Sequence, residues 1–502
     1  MGTELPNILL IQADQLQAQV LGCYGGNAQT PRIDALAASG AVFDNAYCNF
    51  PLCAPSRFSM LSGMLPSRIG AYDNGAEFPA QIPTFAHYLR LAGYRTCLSG
   101  KQHFVGPDML HGFHERLTPE LYPTDFAWTP SWTKPRMESN NDSSGVTRAG
   151  VCVRSVQMDH DEAALYGAKT QLHNFARDRS KPFLMVASFT HPHEPYYCQQ
   201  QHWDRYRHDD IEMPSIGLRP ADERLAHTQR MLEHHGLLDP ALTPEHVRIA
   251  RHAYLANVSY VDEMVGALMD TLADTGLADN TIVVITSDHG DMLGEHGMWF
   301  KKHFFDACLR VPLIICAPNH FASSRQAQNV SLVDLLPTLT EFAGLDANAH
   351  APEALDGESL VGVCAGNTAR DDATVFAEIT SEGVSAPMFM VKRGDFKLLT
   401  GGGVPNALFN LASDAHEITD LAAVANMRPV RDQLAAIAAQ RWDSEALTKS
   451  VIASQGRRRL VDTAHRDGQR VNWGIAPSEP LAPWLLRGEG LYNDWAWKGI
   501  DE

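Results

Sequence analysis

Residues 280–290 read NTIVVITSDHG, an unbroken apolar and β-branched run that turns polar at Asp288 and His289. Such a run is typical of a strand that is buried on both faces in a parallel sheet. Apolar residues between Tyr260 and Leu272 recur at helical spacing, and Gly276 marks the expected end of that helix. The order of helix, glycine, buried strand and polar pair therefore predicts one repeat of an α/β fold.

The same order recurs towards the N-terminus. Strands that alternate with helices predict a mostly parallel sheet with helices on both faces. We expect this domain to span residues 1–345. Its other predicted segments are a strand at 7–12 (NILLIQ), a helix and a strand at 30–48 separated by Gly40, a helix and a strand at 76–100 separated by Gly93, and strands at 181–191 and 310–318.

The pattern changes after about Ala343. Residues 388–411 (MFMVKRGDFKLLTGGGVPNALFNL) predict two or three short antiparallel strands with a turn at the three glycines 401–403. A helix is expected near Arg428–Arg441. Together these elements predict a smaller C-terminal subdomain at residues 346–445.

The last fifty residues are expected to be irregular. They carry four of the nine tryptophans, Trp473, Trp484, Trp495 and Trp497. A free tail of this composition would expose a large apolar surface. We therefore expect residues 446–502 to dock, either on their own chain or as a contact in a homo-oligomer such as a dimer or a tetramer.

Composition and charge exclude several classes of function. The net charge of −18 argues against nucleic acid as a partner, although a local cluster of cations could still bind a small anion. No basic region precedes the first apolar run, and no apolar segment is long enough to cross a membrane. The nine cysteines are scattered and form no CxxC pair, which is typical of reduced thiols. These features predict a cytoplasmic protein without a membrane partner.

Four clusters of polar residues lie just after predicted strands, and the carboxyl ends of parallel strands meet at one edge of a sheet. Two carboxylates and an imidazole there suit a divalent metal, and surrounding cations suit an oxyanion such as sulfate or phosphate. Taken singly, these residues have structural explanations, such as a helix cap for Asp14 or packing for any of the 22 histidines. The clusters, and two residues that could join them, are Asp14–Gln15, Lys101–His103, His191–His193, Asp288–His289, Cys53 and Arg57.

Residues 53–57, CAPSR, fit the C-x-P-S-R signature of the type I sulfatases, which belong to the alkaline phosphatase superfamily. The chain also resembles this family in ADQ, SGKQHF, THPHEP, TSDHGDMLGEHG and the region around Lys301, nearly from end to end and in the family order. Phrases such as AYDNGAEFPA and WDRY resemble the choline-sulfatase branch. The resemblance implies a sulfuric ester hydrolase with an alkaline-phosphatase-like α/β domain followed by a smaller domain with an antiparallel sheet.

The resemblance also implies a metal site and a modified residue. A formylglycine-generating enzyme would act transiently on Cys53 and convert it to formylglycine. Asp14, Asp288, His289 and an oxygen of modified residue 53 would bind one divalent cation. Gln15 and His289 stand where most members of the family have Asp and Asn, so both Ca²⁺ and Mn²⁺ remain open.

The catalytic roles follow from the same resemblance. The hydrated aldehyde at residue 53 would attack sulfur, helped by the metal and by Arg57. Lys101, His193 and Lys301 would neutralise the sulfuryl oxygens and the departing oxygen. Either His193 or Lys301 would protonate the leaving group, and His103 would be the base that helps to expel sulfate.

The sequence also bears on the leaving group. In the choline-sulfatase branch a quaternary ammonium is held by aromatic faces and a carboxylate. The segment that reads Trp-Tyr-His-Asn in that branch is MESN here, at residues 137–140, so part of the cage is missing. We therefore expect an aryl or small alkyl sulfate, with choline sulfate a poor substrate. The expected ester contacts are Asn74, Trp128, Trp132, His191 and Glu378.

Two other functions stay open from the sequence alone. One is a phosphonate monoester or phosphodiester hydrolase with the same nucleophile. The other is a non-catalytic, anion-binding relative in which Cys53 is never modified. Lys302 is expected to be a solvated neighbour of Lys301, and the charge run Arg457–Arg459 predicts a solvated face or an intersubunit salt bridge.

Overall fold

The structure is a computed structural model that describes residues 5–133, 141–239, 242–317, 319–370, 373–466 and 473. Its strands form a large sheet, a four-stranded sheet and a two-stranded pair. In chain order the strands are β1 (Asn7–Asp14), β2 (Ala41–Tyr47), β3 (Arg95–Gly100), β4 (Glu115–Arg116), β5 (Gly150–Val151), β6 (Phe183–Pro192), β7 (Tyr197–Cys198), β8 (Thr281–Ser287), β9 (Leu313–Cys316), β10 (Ser324–Ser331), β11 (Thr374–Ile379), β12 (Met388–Arg393), β13 (Phe396–Gly401) and β14 (Ala407–Asn410).

The large sheet has the strand order β10-β2-β9-β8-β1-β6-β3-β4. Neighbouring strands run parallel, except that β9 is antiparallel to both β2 and β8. Strands β1, β6 and β8 are buried along their whole length, as their unbroken apolar sequences predict. The prediction of a mostly parallel α/β sheet is therefore confirmed.

Helices cover this sheet, with α6 and α9 packed against β6 and α4 against β3. The predicted stop of the long helix α9 is present, since Gly276 adopts a left-handed conformation (φ 64°) just beyond it. The helices are α1 (Pro31–Ser39), α2 (Cys53–Ser62), α3 (Pro66–Ile69), α4 (Phe85–Leu91), α5 (Ser144–Thr147), α6 (Val156–Arg177), α7 (Gln200–Trp203), α8 (Ala226–His234), α9 (Pro244–Asp274), α10 (Asp306–Leu309), α11 (Leu335–Phe342), α12 (Ala347–His350), α13 (Val361–Cys364), α14 (Arg428–Arg441) and α15 (Ser444–Arg466).

Strand register brings the predicted polar residues together. Ala13 of β1 pairs with Ser287 of β8, so Asp14 and Asp288 follow at equivalent positions on adjacent parallel strands. On the other side of β1, Asp14 pairs with Pro192 of β6 after a break in the register. Side chains separated by more than 270 residues in the sequence therefore meet at one edge of the sheet.

The C-terminal region contains an antiparallel sheet in the order β11-β12-β13-β14. The segment at 388–411 supplies three of its strands, as predicted, and β11 is a fourth strand that the sequence analysis missed. Helix α14 has the predicted bounds. The prediction that the last fifty residues are irregular is wrong for residues 453–466, which belong to α15. Apart from Trp473, the tryptophans of the tail lie outside the described residues.

Among the described helices, none combines the length and the apolar character that crossing a lipid bilayer requires.

Candidate active site

Cys53 lies at the start of α2 and forms the floor of the candidate site. Its Sγ is 3.3 Å from His289 Nε2 and 3.8 Å from Asp14 Oδ1. One potential ligand atom from each of Cys53, Asp14, Asp288 and His289 lies within 4.8 Å of the others, and all four residues are buried. This cluster contains the four residues that the resemblance implies for the metal site.

Arg57 orients the two carboxylates of the cluster. Its Nη2 donates to Asp14 Oδ2 (3.1 Å) and its Nε donates to Asp288 Oδ2 (2.8 Å). Its Nη1 donates to Ser188 Oγ (2.9 Å) and to the Lys101 carbonyl oxygen (2.7 Å). Every nitrogen of the guanidinium is therefore engaged, and Arg57 does not line the pocket above Cys53.

The donor set fits one divalent cation. Ligand atoms no more than 4.8 Å apart can surround a single ion, because oxygen ligands lie about 2.0–2.6 Å from Mg²⁺ or Ca²⁺. His289 Nδ1 donates to the Gly290 carbonyl oxygen (2.9 Å), which leaves Nε2 as the acceptor that faces Asp14 and Asp288 at 3.9 Å. Burial lowers the pKa of His289, so its ring is neutral, as a metal ligand must be.

Cations surround the first carboxylate. Lys101 Nζ forms an ion pair with Asp14 and lies 4.2 Å from the centroid of the Tyr122 ring. Burial raises the pKa of Asp14, but Lys101, His193 and Arg57 outweigh this effect and hold the pKa well below its usual value. Asp14 is therefore ionised, with its Oδ1 turned towards Cys53.

Lys301 and His193 form one wall of the site. Lys301 Nζ donates to His193 Nε2 (2.5 Å), and it is 3.2 Å from Glu194 Oε1. Burial lowers the pKa of Lys301, but Cys53, Glu194 and Asp14 raise it above its usual value. Burial raises the pKa of Glu194, and His193 and Lys301 lower it to about 2. The wall therefore carries an ammonium paired with a carboxylate.

Gln15 supports this wall instead of facing the metal cluster. Its Oε1 accepts from Lys301 Nζ (2.7 Å) and its Nε2 donates to Asp291 Oδ2 (2.5 Å). Asp291 also accepts from the Tyr196 hydroxyl (2.8 Å), and burial beside Glu194 raises its pKa to about 6. The sequence analysis did not assign Asp291, although it lies in the quoted TSDHGDMLGEHG segment.

A cavity of about 240 Å³ opens above Cys53. Tyr122, Trp128, Tyr197 and Phe300 give it aromatic walls, and its polar lining includes Asn74, His103, His193, Glu194 and Lys301. The Tyr122 and Trp128 ring centroids are 5.1 Å apart. Tyr122 was missed because it lies in a loop segment with no motif around it.

His103 is a buried residue that lines the cavity. Neither of its ring nitrogens has a hydrogen-bond partner among the described residues, and the ring is buried beside Tyr122, 5.1 Å between centroids. Burial, Lys101 and Arg57 lower the pKa of His103 well below 6.5. The ring is therefore neutral.

Two predicted ester contacts lie outside the cavity. Trp132 Nε1 donates to the Ser381 carbonyl oxygen (3.0 Å). Glu378 is buried and accepts from the Ser67 backbone NH (2.7 Å) and from Trp442 Nε1 (2.6 Å). Each group is satisfied by its own protein partners, so neither lines the cavity.

His191 also lies away from the cavity. Its Nδ1 donates to Asp161 Oδ2 (2.7 Å), and its ring packs against Tyr260. The expectation that Lys302 is solvated is wrong, because Lys302 is buried and its Nζ is 2.5 Å from Glu382 Oε1. Residues 137–140, which carry the MESN segment, lie outside the described residues.

Comparisons with known proteins agree with this geometry. Residues 6–345 match the sulfatase family, and residues 294–442 match the family of N-sulphoglucosamine sulphohydrolase C-terminal regions. A choline-sulfatase of Rhizobium meliloti (strain 1021) is 40% identical over 97% of this chain and 96% of its own length. An arylsulfatase of Clostridium perfringens (strain 13 / Type A) is 27% identical over 83% of this chain and 90% of its own length. The fold matches the crystal structure of the phosphonate monoester hydrolase of Agrobacterium radiobacter with a TM-score of 0.67 at 24% identity, over 87% of this chain and 96% of that one.

The sheet, the buried cluster and these likenesses define a hydrolase of the alkaline phosphatase superfamily. Within that superfamily the chain belongs to the sulfatase family, whose members are sulfuric ester hydrolases.

Proposed function

We propose that this chain hydrolyses sulfate monoesters with an aryl or small alkyl leaving group, using a formylglycine made from Cys53 and one divalent cation. One observation carries the proposal. The buried Cys53 side chain adjoins two carboxylates and an imidazole at the floor of a cavity whose wall holds an ammonium. This is the set of groups that an in-line attack on a bound sulfuryl group requires.

Asp14, Asp288 and His289 would hold the cation together with an oxygen of residue 53. When bound, the cation lowers the pKa of the attacking hydroxyl and polarises the sulfuryl group. Carboxylate oxygens suit Ca²⁺, whereas the imidazole favours a softer ion such as Mn²⁺. Arg57 fixes the orientation of both carboxylates, and Lys101 balances the charge of Asp14.

The chain's own residues would move two protons. As the ester S–O bond breaks, the leaving oxygen takes a proton from the Lys301–His193 pair, which shares one hydrogen bond of 2.5 Å. His103, whose ring nitrogens have no hydrogen-bond partner among the described residues, would accept the second proton when sulfate leaves residue 53. Both roles rest on side chains that line the same cavity as Cys53.

Replacing Lys301 by alanine is expected to lower kcat/KM by roughly 10²–10⁴-fold for an alkyl sulfate, as is typical for the loss of a general acid. The loss should be much smaller for 4-nitrophenyl sulfate, because nitrophenolate departs without a proton. Steady-state kinetics of Lys301→Ala and His193→Ala on both esters measure this difference. The variant with the larger dependence on the leaving group identifies the proton donor, and equal losses on both esters in both variants would contradict the assignment.

The cavity favours an uncharged aromatic leaving group. Its aromatic walls suit a single ring, and about 240 Å³ leaves room for little more than a sulfuryl group and that ring. Among the described residues that line it, the buried carboxylates of Glu194 and Glu382 are paired with Lys301 and Lys302, and the exposed carboxylate of Asp142 accepts from the Ser144 backbone NH (2.9 Å). One relative, 40% identical, is named choline-sulfatase, so the preference for an aryl ester over choline sulfate is the part of the proposal that most needs a test.

We expect kcat/KM for 4-nitrophenyl sulfate to exceed that for choline sulfate by at least tenfold, which corresponds to about 1.4 kcal/mol of transition-state binding. Parallel assays of both esters, with sulfate release as a common readout, measure the ratio. A matched aryl phosphonate monoester in the same panel tests the rival hydrolase. Comparable values for choline sulfate would refute the leaving-group proposal, and a faster phosphonate reaction would reverse the assignment of the substrate.

Modification of Cys53 distinguishes the proposed hydrolase from a relative that only binds anions. Conversion of the Cys53 side chain to an aldehyde removes the elements of H₂S and adds one oxygen, which mass spectrometry of the peptide around residue 53 detects. A formylglycine-generating enzyme would be the transient partner that makes this change. An unmodified thiol in purified active protein would disprove the proposed nucleophile.

A further inference from the structure

The charge run Arg457–Arg459, which the sequence analysis expected on a solvated face or in an intersubunit contact, instead sends one side chain into the protein. Arg458 of α15 is buried, and its Nη1 and Nη2 donate to the two carboxylate oxygens of Asp73 (2.7 and 2.8 Å). Nη1 also donates to Thr129 Oγ1 (3.1 Å). Two parallel bonds of this kind fix an orientation as well as a distance.

Asp73 belongs to a turn that contacts the nucleophile helix. The next residue, Asn74, accepts a hydrogen bond at Oδ1 from the backbone NH of Ala54 (3.0 Å). Ala54 directly follows Cys53 at the start of α2, where free backbone NH groups need partners. Asn74 also lines the cavity, so the turn held by Arg458 contacts both the helix and the pocket.

The same turn packs against the segment that carries an aromatic wall. A Cβ added at Gly75 would lie 2.7 Å from the backbone nitrogen of Thr129 and from the carbonyl carbon of Trp128, so the two backbones touch. Helix α15 makes a second contact with the segment that follows Trp128, since Gln455 Oε1 accepts from the backbone NH of Trp132 (2.9 Å). The helix thereby braces both the turn and the Trp128 segment.

We propose that Arg458 is a positioning residue for the reaction. Through Asp73 and Thr129 it sets the turn that supports the first residues of α2 and the segment that presents Trp128 to the leaving group. The inference rests on the proposed function, because the reaction that Arg458 supports is the proposed ester hydrolysis. It adds α15, which lies far from the motifs in sequence, to the elements that position the active site. A shift of about 1 Å in such a group can cost roughly 10²-fold in rate.

The choice of variants follows from burial. Removing one partner of a buried ion pair leaves an uncompensated charge and can prevent folding, whereas removing both is milder. Arg458→Lys keeps the charge but loses the bidentate geometry, and the double variant Arg458→Gln with Asp73→Asn removes both charges. Arg466→Gln is a matched control, because it breaks an ion pair with Asp462 on the same helix at a more exposed position.

Turnover of 4-nitrophenyl sulfate per modified residue 53, thermal unfolding and metal content are measured for each variant. We expect Arg458→Lys and the double variant to keep their modification and metal, and to lose about 10–100-fold in kcat/KM well below their unfolding temperature. Arg466→Gln should match the wild type. Unchanged kcat and KM in both Arg458 variants would overturn the proposal, since a purely structural role would lower only the unfolding temperature.

A second readout separates this inference from the proposed function. Binding of 4-nitrophenyl sulfate is measured by calorimetry in a Cys53→Ala background, which cannot turn the ester over, with and without Arg458→Lys. A weaker affinity in the protein that carries both Cys53→Ala and Arg458→Lys than in Cys53→Ala alone supports the role of Arg458, even if the wild type prefers another ester. Equal affinities together with equal turnover would refute it, and a wild type that is inactive on every ester would refute the proposed function alone.

Discussion

Replacing Cys53 by alanine is expected to abolish ester hydrolysis, with a loss of roughly 10⁴-fold or more in kcat. The reason is chemical, because no neighbouring side chain in the cluster can both attack sulfur and later release sulfate. The buried cluster and the cavity should persist, since alanine fits where the thiol side chain lay. Sulfate release from 4-nitrophenyl sulfate measures the loss.

Cys364→Ala is the matched control for the loss of a buried thiol, because Cys364 lies in α13 and lines no part of the cavity. It should keep full activity per folded molecule. Residual turnover in Cys53→Ala within about tenfold of the wild type would show that another residue is the nucleophile.

Replacing His289 by alanine is expected to lower kcat/KM by roughly 10²–10³-fold or more, because a metal that polarises the reacting group contributes several kcal/mol to the transition state. Among the proposed metal ligands, His289 suits this test because it is neutral and its removal leaves no buried charge without a partner. Metal content after dialysis, measured by mass spectrometry, should fall together with activity.

His296→Ala is the matched control. His296 lies seven residues further along the same loop, is buried, and is bonded through Nε2 to the His416 carbonyl oxygen (2.8 Å) outside the cluster. Treatment of the wild type with a chelator should reproduce the His289 defect, and adding back Ca²⁺ or Mn²⁺ separately should show which ion restores the rate. Full metal content and full activity in His289→Ala would show that His289 does not bind the metal.

Much of the fold was predictable from local patterns. Unbroken apolar runs gave β1, β6 and β8, and the polar residues that follow them had to meet at one sheet edge because parallel strands end together. The strand ends therefore predicted that Asp14, Asp288 and His289 lie at one edge, and the resemblance to the sulfatases implied that they form a metal site with residue 53. The orientation of β9 and the existence of β11 depend on long-range pairing, which local patterns do not encode.

The predictions failed where the direction of a side chain decides its role. Glu378 lies one residue before the end of β11 and accepts hydrogen bonds from Ser67 and Trp442, whereas Glu382, four residues later, lines the cavity. Lys302 adjoins Lys301 in sequence, but it is buried against Glu382. Spacing along the chain cannot distinguish these cases, because each depends on which partner lies opposite in the folded protein.

The central position of β1 has a consequence for the order of events during synthesis. β1 lies between β6 and β8, so β1 gains its second neighbour only after Ser287 has been made. At roughly 5–20 residues per second, the interval between synthesis of residue 53 and completion of β8 is on the order of tens of seconds. In the folded chain the Cys53 side chain is 1% exposed, so the proposed modifying enzyme would have to reach the thiol during that interval. If residue 53 is converted to formylglycine as proposed, faster translation should shorten this interval and lower the fraction of chains that carry the modification.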